Sequence, residues 1–264
     1  MKTHLTILML LLASWQTMAQ CRLVRLESPD TAIITYYNYD KLGRLASVKS
    51  DLLFQGKPMK FEFYYFYNND DKIVAFNLMV NDTLEIITHF IYENGLITKQ
   101  YQINLLDSIL FTSQLFYNDN KQLVRYLDKS SKGDSIEMQF EYTPFGVPKK
   151  RTRITNKPEG FNVIDYAWDT NQKTILPERM ISVGYPTYLT WGYVTPLAPL
   201  SVKGDLKGSI LYKKDKEGKL YKADEDVFSD IKANTSGYYQ EGKYKGYQSN
   251  KTFRIWAVYE GCKN

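Results

Sequence analysis

Residues 39–45 read YDKLGRL, and a looser form of this pattern returns four more times along the 264-residue chain. Each copy has a tyrosine, a polar turn and an apolar residue that starts the next segment. The tyrosines are 28, 25, 25 and 25 residues apart, at Tyr39, Tyr67, Tyr92, Tyr117 and Tyr142. Trp168, 26 residues further on, is a candidate sixth copy. Such regular self-similarity indicates one repeated structural unit.

The segments before the tyrosines alternate with a period of two. Ile136, Met138, Phe140 and Tyr142 fall on one side of an extended chain, and Glu137 falls on the other. This pattern is typical of half-buried strands, and the Asn, Asp and Gly residues that follow suit tight hairpin turns. The sequence therefore predicts an all-β fold, an antiparallel meander of hairpin repeats. The meander could form a large curved sheet or a closed or partly closed barrel, with a less regular C-terminal part.

The repeat tyrosines lie in phase with the buried face at the end of each strand. We expect their rings to pack inside and their hydroxyl groups to reach the rim and water. Packing explains these tyrosines better than a ligand motif does.

The stretch from Tyr39 to Leu45 resembles the Tyr-Asp repeat of the YD/RHS family. The shorter copies are closer to a family of exported Gram-negative proteins of unknown function with a porin-like fold. Those proteins also have a signal followed by hairpins of the form Tyr-Asn/Asp…Gly-Arg-Leu. The resemblance covers about residues 32–170, and the first copy alone matches in full. It implies an antiparallel sheet, open or closed, and no known activity.

The N-terminus has the layout of a secretory signal, which we assign to residues 1–19. Lys2 gives a positive start, residues 5–13 are apolar, and Thr17 and Ala19 place small residues before a cleavage site between Ala19 and Gln20. The apolar run is far shorter than the roughly 20 residues of a membrane-spanning helix. Export to the periplasm, the outer-membrane surface or the extracellular space is therefore predicted.

The chain contains two cysteines, Cys21 and Cys262. In an exported protein this number is most simply explained by one disulfide, which would join the two ends of the mature chain. A lipid on Cys21 is the alternative, although Gln20 is a poor residue before a lipidated cysteine.

The repeat region spans residues 20–184, and residues 185–264 form a loop and strand region that packs on or closes the same sheet. A short helix over residues 222–232 and a last strand over 252–259 are predicted there. Four aromatic residues in a segment bounded by Pro and Gly are candidates for ligand binding: Tyr185, Tyr188, Trp191 and Tyr193. Packing in a barrel mouth is the alternative role for them.

The sequence offers few candidates for catalytic residues. One histidine, His89, remains after signal removal, so a His-based metal site or a conventional catalytic triad is not expected. Asp165, Glu178 and residues 224–226 could supply a carboxylate pair for glycoside hydrolysis.

The net charge of +5 is mixed along the chain, and the densest basic run, residues 149–153, is predicted to be a solvated surface. No nucleic acid, metal or cofactor is expected.

These features predict an exported, non-catalytic β-repeat protein that binds a partner or covers a surface. A glycan, a peptide or an envelope component would be a suitable partner. The alternatives are a secreted hydrolase with a carboxylate pair in the C-terminal third and an outer-membrane β-barrel.

Overall fold

The computed structural model describes residues 22–28, 30, 33–54, 57–156, 160–169, 175–176, 202–203, 205–245 and 252–262. These residues form β-strands joined by turns. The strands are β1 (Arg22–Ser28), β2 (Ile33–Tyr39), β3 (Leu45–Phe54), β4 (Lys57–Tyr67), β5 (Ile73–Val80), β6 (Thr83–Glu93), β7 (Leu96–Asn104), β8 (Ile109–Tyr117), β9 (Leu123–Ser130), β10 (Ser135–Tyr142), β11 (Pro148–Thr155), β12 (Asn162–Asp169), β13 (Ile175–Leu176), β14 (Val202–Lys203), β15 (Asp205–Lys214), β16 (Leu220–Ala233), β17 (Tyr239–Lys245) and β18 (Phe253–Glu260).

Sixteen of the strands form one closed antiparallel barrel, as the meander prediction allowed. Each strand pairs with the next along the chain, except that β12 pairs directly with β15 and the two-residue strands β13 and β14 pair with each other. The barrel closes where β1 pairs with β18, with Leu26 opposite Ala257. The sequence left an open sheet and a barrel as alternatives. The pairing of the first and last strands shows that the sheet is a closed barrel.

Alternation along the strands separates an inner face from an outer face. In β6, Ile86, Thr88 and Phe90 are buried, whereas His89 and Ile91 are exposed. Residues that pair across strands lie on the same face of the sheet. The pairing of β6 with its neighbours therefore extends this assignment, and the buried face is the interior of the barrel.

The interior is rich in aromatic and aliphatic side chains. Tilted rings make a row across three strands, with centroid distances of 6.2 Å for Phe63–Phe76 and 5.9 Å for Phe76–Phe90. Such tilted arrangements are favourable for aromatic pairs. Phe76 and Phe90 belong to a buried cluster with Tyr126 and Met138, so apolar packing continues around the wall to β10.

The repeat turns share one hydrogen-bonding pattern. In the turn after β8, Asn118 N donates to Gln122 O at 3.0 Å, and Asn118 Oδ1 accepts from Gln122 N at 2.9 Å. Asp40, Asn68, Asp215 and Asn234 accept the same backbone bond in their own turns. A side-chain oxygen that closes the turn explains why Asn or Asp recurs at this position.

The repeat tyrosines join successive hairpins. Their hydroxyl groups donate to main-chain carbonyls on the neighbouring hairpin at 2.8–2.9 Å: Tyr39 to Leu23, Tyr67 to Leu45, Tyr92 to Ile73, Tyr117 to Ile97 and Tyr142 to Leu123. The sequence interpretation did not foresee these bonds, because each acceptor lies on a separate hairpin. The indole of Trp168 donates to Pro148 O at 2.6 Å, which gives the sixth copy the same role.

Residues 220–233 correct a further prediction. This segment forms strand β16, whereas a short helix was predicted over residues 222–232. Phe228 is buried and Val227 is exposed, which is the alternation of a strand. Pairing with β15 and β17 outweighs the weak helical spacing of Val227, Phe228 and Ile231.

Candidate functional site

The aromatic residues proposed as a ligand site, Tyr185, Tyr188, Trp191 and Tyr193, lie outside the described residues. They belong to the connection between β12 and β15, and Trp168 and Leu206 pair where that connection leaves and re-enters the barrel. The signal over residues 1–19, its cleavage site at Ala19 and Gln20, and Cys21 also lie outside the described residues. Ligand binding by the four aromatic residues and the Cys21–Cys262 bond stay predictions.

The carboxylates considered for hydrolysis are divided between the two faces of the barrel wall. Asp165 pairs with Lys150 on the outer face. Asp226 lies on the inner face, is 1% exposed and accepts a 3.3 Å hydrogen bond from Ser209 Oγ. Glu178 lies outside the described residues. Asp165 and Asp226 therefore cannot act together on one substrate from these positions.

The outer face carries ion pairs in the middle of its strands. Lys49 Nζ lies 2.8 Å from Glu62 Oε1, and Lys60 Nζ lies 3.3 Å from the same atom. The hydrogen bond from Lys49 lowers the pKa of Glu62 to about 2, although burial under its neighbours opposes this shift. Arg125 Nε is 2.8 Å from Glu137 Oε1 on the opposite side of the repeat region. The exterior of β3, β4, β9 and β10 is thus charged.

Apolar side chains form a patch on the outer face of β6, β7 and β8. Ile87, Ile103 and Leu110 stand side by side on β6, β7 and β8, and Tyr101 pairs with the exposed His89 beside them. Leu106, in the turn after β7, has 65% of its surface exposed. His89 therefore points outward, as its place in the alternation predicts.

The inner face of β6 to β9 contains a buried polar cluster. Ser113 Oγ donates to Asp128 Oδ1 at 2.8 Å and lies 2.6 Å from the hydroxyl oxygen of Tyr126. Burial raises the pKa of Asp128 to about 6, while the hydrogen bonds from Ser113 and Tyr126 act in the opposite direction. A carboxyl group inside an apolar wall is therefore partly protonated near neutral pH.

Two glutamines extend this cluster toward β6. Gln100 pairs with Ser113 and is fully buried, and Gln102 pairs with Thr88. Within the described part of the chain, both amide atoms of Gln100, Oε1 of Gln102 and Oγ1 of Thr88 have no hydrogen-bond partner. Unpaired buried polar atoms are destabilising by about 1–3 kcal/mol each. Their retention in an apolar interior is typical of a site with a role beyond packing.

Arg151 is the inner-face residue that the sequence interpretation missed. The basic run over residues 149–153 was predicted to be solvated, but Arg151 is only 2% exposed. It pairs with Phe140 and Ile164, which are both on the inner face. Because paired residues lie on the same face of a sheet, the side chain of Arg151 points into the barrel. The alternation of β10 could have shown this, since the hairpin register carries the inner face from Phe140 to Arg151.

Among the described residues, no three His, Cys, Asp or Glu side chains are grouped to hold a metal ion. Over the same residues, no helix is both long and apolar enough to cross a membrane.

Two solved structures share the fold of this chain. A porin-like protein from Bacteroides uniformis superposes with a TM-score of 0.57 and 13% sequence identity, covering 89% of this chain and 96% of that one. A porin-like protein from Bacteroides vulgatus gives a TM-score of 0.57 and 9% identity, covering 90% and 98%. No family model and no curated protein matches the chain. The resemblance to porin-like exported proteins therefore holds for the fold, and the resemblance to the YD/RHS family stays a prediction.

Proposed function

We propose that this chain is an exported, water-soluble barrel that acts by binding, without catalysis and without conducting solutes. The observation that carries the proposal is the charged outer face. Lys49 and Glu62 pair in the middle of β3 and β4, and Arg125 pairs with Glu137 on β9 and β10. A cation facing lipid at the bilayer midplane costs about 2–4 kcal/mol, so several such residues oppose insertion.

The inner face supports the same proposal. Membrane channels of 16 to 18 strands enclose an aqueous lumen lined by polar side chains. Here Tyr126, Thr88, Gln100 and Ser113 have no exposed surface, and they lie among aromatic and aliphatic neighbours. At these positions the interior is packed, whereas the lumen of a membrane channel is aqueous.

An outer-membrane barrel is the second candidate. The apolar outer patch of Ile87, Ile103 and Leu110, with the exposed Leu106, favours contact with lipid. The porin-like folds of the two Bacteroides structures are compatible with this candidate. Exposed apolar or aromatic side chains also lie on the outer faces of β2, β4, β11, β16 and β18. The charged pairs on β3–β4 and β9–β10 interrupt the continuous apolar band that a membrane barrel needs.

Residues 20–264, produced without the signal and without detergent, distinguish the two candidates. We expect the protein to remain in the aqueous fraction after high-speed centrifugation and to add no conductance to a planar bilayer. Flotation with vesicles of phosphatidylethanolamine and phosphatidylglycerol that resists a carbonate wash, or the appearance of channels, would refute the proposal. Leu106→Asp serves as the matched variant, because it abolishes peripheral contact through the patch and leaves a spanning barrel in the membrane.

A further inference from the structure

Arg151 has a buried positive charge, and two of its three guanidinium nitrogens have no hydrogen-bond partner within the described residues. Its side chain is 2% exposed, and within the described residues Nε and Nη1 have no hydrogen-bond partner. A guanidinium group stays protonated in proteins, so it cannot relieve its burial by losing a proton. Burial of an unpaired charge is strongly unfavourable unless an anion or several acceptors meet it.

Among the described residues, the side chains that pair directly with Arg151 on the inner face are apolar, and a second positive charge lies nearby on the same strand. Arg151 pairs with Phe140 and Ile164. Arg153, two residues further on the same face, pairs with Met138 and Asn162. Arg153 Nη1 donates to the carbonyl oxygen of Gly160 at 3.2 Å. The Cα atoms of the two arginines are about 7 Å apart along one strand, so their positive charges repel each other.

The inward carboxylates on this side of the barrel, Asp224 and Asp226, lie on β16. Asp226 pairs with Ser209 on β15, and β12 lies between β15 and the strand of Arg151. Three strand spacings separate β11 from β16, which is roughly 14 Å. Asp226 also accepts a hydrogen bond from Ser209 Oγ. The charges of Arg151 and Asp226 both act on the buried hydroxyl of Tyr166, so Asp226 offsets part of the Arg151 charge at long range, without a hydrogen bond to Nε or Nη1 of Arg151.

We propose that the inner wall formed by β11 and β12 binds an oxyanion, the carboxylate or phosphate group of a small molecule, with Arg151 as the principal donor. The planar guanidinium group matches both oxyanions in two-point geometry. Arg153 adds charge, and the amide of Asn162, whose buried Oδ1 has no partner within the described residues, lies beside Arg153 as a polar neighbour. This inference rests on the proposed function in that the oxyanion belongs to the ligand that the barrel binds.

Thermal unfolding of residues 20–264 in phosphate, in acetate and in chloride at equal ionic strength tests the site. The samples are equilibrated overnight, because the guanidinium is covered. A ligand that binds the folded state raises Tm in proportion to its occupancy. We expect phosphate or acetate to raise Tm relative to chloride, and the larger of the two shifts identifies the oxyanion. Equilibrium dialysis with the same radiolabelled anion then gives the dissociation constant.

Arg151→Met should abolish the anion-dependent shift and should raise Tm in chloride, since it replaces an unpaired buried charge by an apolar side chain of similar length. Arg151→Lys should weaken binding by about tenfold, because an ammonium group cannot make the two-point contact. Arg125→Met, which removes a guanidinium from the outer face, should keep the full shift.

Equal responses of the wild-type chain to phosphate, acetate and chloride, together with no retention of the anion in dialysis, would overturn the site. The same result follows if Arg151→Met keeps the shift. Should Arg151→Met fail to fold, dialysis on the wild-type chain and on Arg151→Lys still decides the question. A chain that stays in the aqueous fraction but binds no anion refutes this inference and leaves the proposed function intact. A chain that inserts into vesicles and binds the anion refutes the proposed function and supports the anion site.

Discussion

At the level of single residues, the side chains of the repeat tyrosines join one hairpin to the next. Each repeat tyrosine packs its ring on the inner face and donates its hydroxyl to a carbonyl of the preceding hairpin, as Tyr117 does to Ile97. A basic residue covers several of these rings, with Arg44 Cζ 4.5 Å from the ring centroid of Tyr67. Burial raises the pKa of Tyr117 to about 12, so this donor keeps its proton at neutral pH.

Tyr117→Phe should lower the free energy of unfolding by about 1–2 kcal/mol, because the ring stays in place but the carbonyl of Ile97 loses its donor. Urea denaturation measures the change. Tyr101→Phe, on the exposed outer face, is the matched control and should shift the free energy by less than about 0.5 kcal/mol. Equal effects at the two positions would show that the hydroxyl bond contributes nothing.

Asp128 should make stability depend on pH in the unusual direction for a carboxylate. Its pKa is about 6 in the folded protein, above its ordinary value of 3.8, so the folded state binds more protons between these two pH values. The free energy of unfolding therefore falls as pH rises from about 4 to about 6, by roughly 3 kcal/mol, and is constant above that range.

Asp128→Asn removes this titration, so the stability difference between the variant and the wild type should shift in favour of the variant over the same pH interval. Urea unfolding of both proteins at each pH gives the difference, in which the other titrating groups cancel. Asp119→Asn, in an exposed turn, is the control. A difference that does not change with pH would contradict the raised pKa of Asp128.

At the level of strands and turns, one turn geometry serves most of the repeats. A residue with positive φ ends the turn, and this residue is Gly43, Gly146, Gly218 or Gly237 in four copies, but Lys121 in the turn after β8. Lys121 has φ of 59°, in the left-handed region that favours glycine. The hydrogen bond of Lys121 N to Asn118 O uses main-chain atoms, so it does not depend on the side chain.

Lys121→Gly should therefore raise the free energy of unfolding by about 0.5 kcal/mol, because relief of backbone strain exceeds the added entropy of the unfolded chain. Lys121→Val should lower it, since a β-branched residue is disfavoured at positive φ. Thermal unfolding of the two variants beside the wild type measures both effects. A Lys121→Gly variant less stable than wild type would show that the lysine side chain contributes more than the strain costs.

For the whole molecule, closure of the barrel depends on pairing between residues far apart in sequence. Arg22 pairs with Glu260, and Asp30 Oδ1 accepts from Arg254 Nη2 at 3.1 Å, close to the other end of the same strand pair. Cys21 directly precedes Arg22, and Cys262 follows Glu260 by two residues. The register of β1 and β18 thus brings Arg22 and Glu260, which lie close to the two cysteines in sequence, to one end of the barrel.

We predict that Cys21 and Cys262 form a disulfide across this seam. The intact mass of the mature protein should rise by about 2 Da on reduction, and reduction should lower the free energy of unfolding by about 5 kcal/mol in the chain-entropy description. A Cys21→Ser, Cys262→Ser variant controls for effects of the reductant. A lipid adduct on Cys21 would exclude the bond and would favour surface attachment.

Local pattern was sufficient to predict the strands and turns. The alternation of residues 136–142 and the spacing of the tyrosines depend on neighbours in sequence, so the all-β meander and its hairpins could be read directly. The partner of each tyrosine hydroxyl could not, because Tyr117 and Ile97 meet through the register of separate strands. The helix predicted over residues 222–232 failed for the same reason, since pairing with β15 and β17 decided its conformation.

The sequence by itself determined the hairpin repeat, because turn chemistry and a two-residue period are local properties. Tertiary structure alone decided that sixteen strands close into a barrel. It also turned Arg151, one residue of an apparently solvated basic run, into a buried charge on the inner wall. In a closed barrel, every second residue of a strand points into the interior. Which residues these are depends on the register with which the strands pair across the whole sheet.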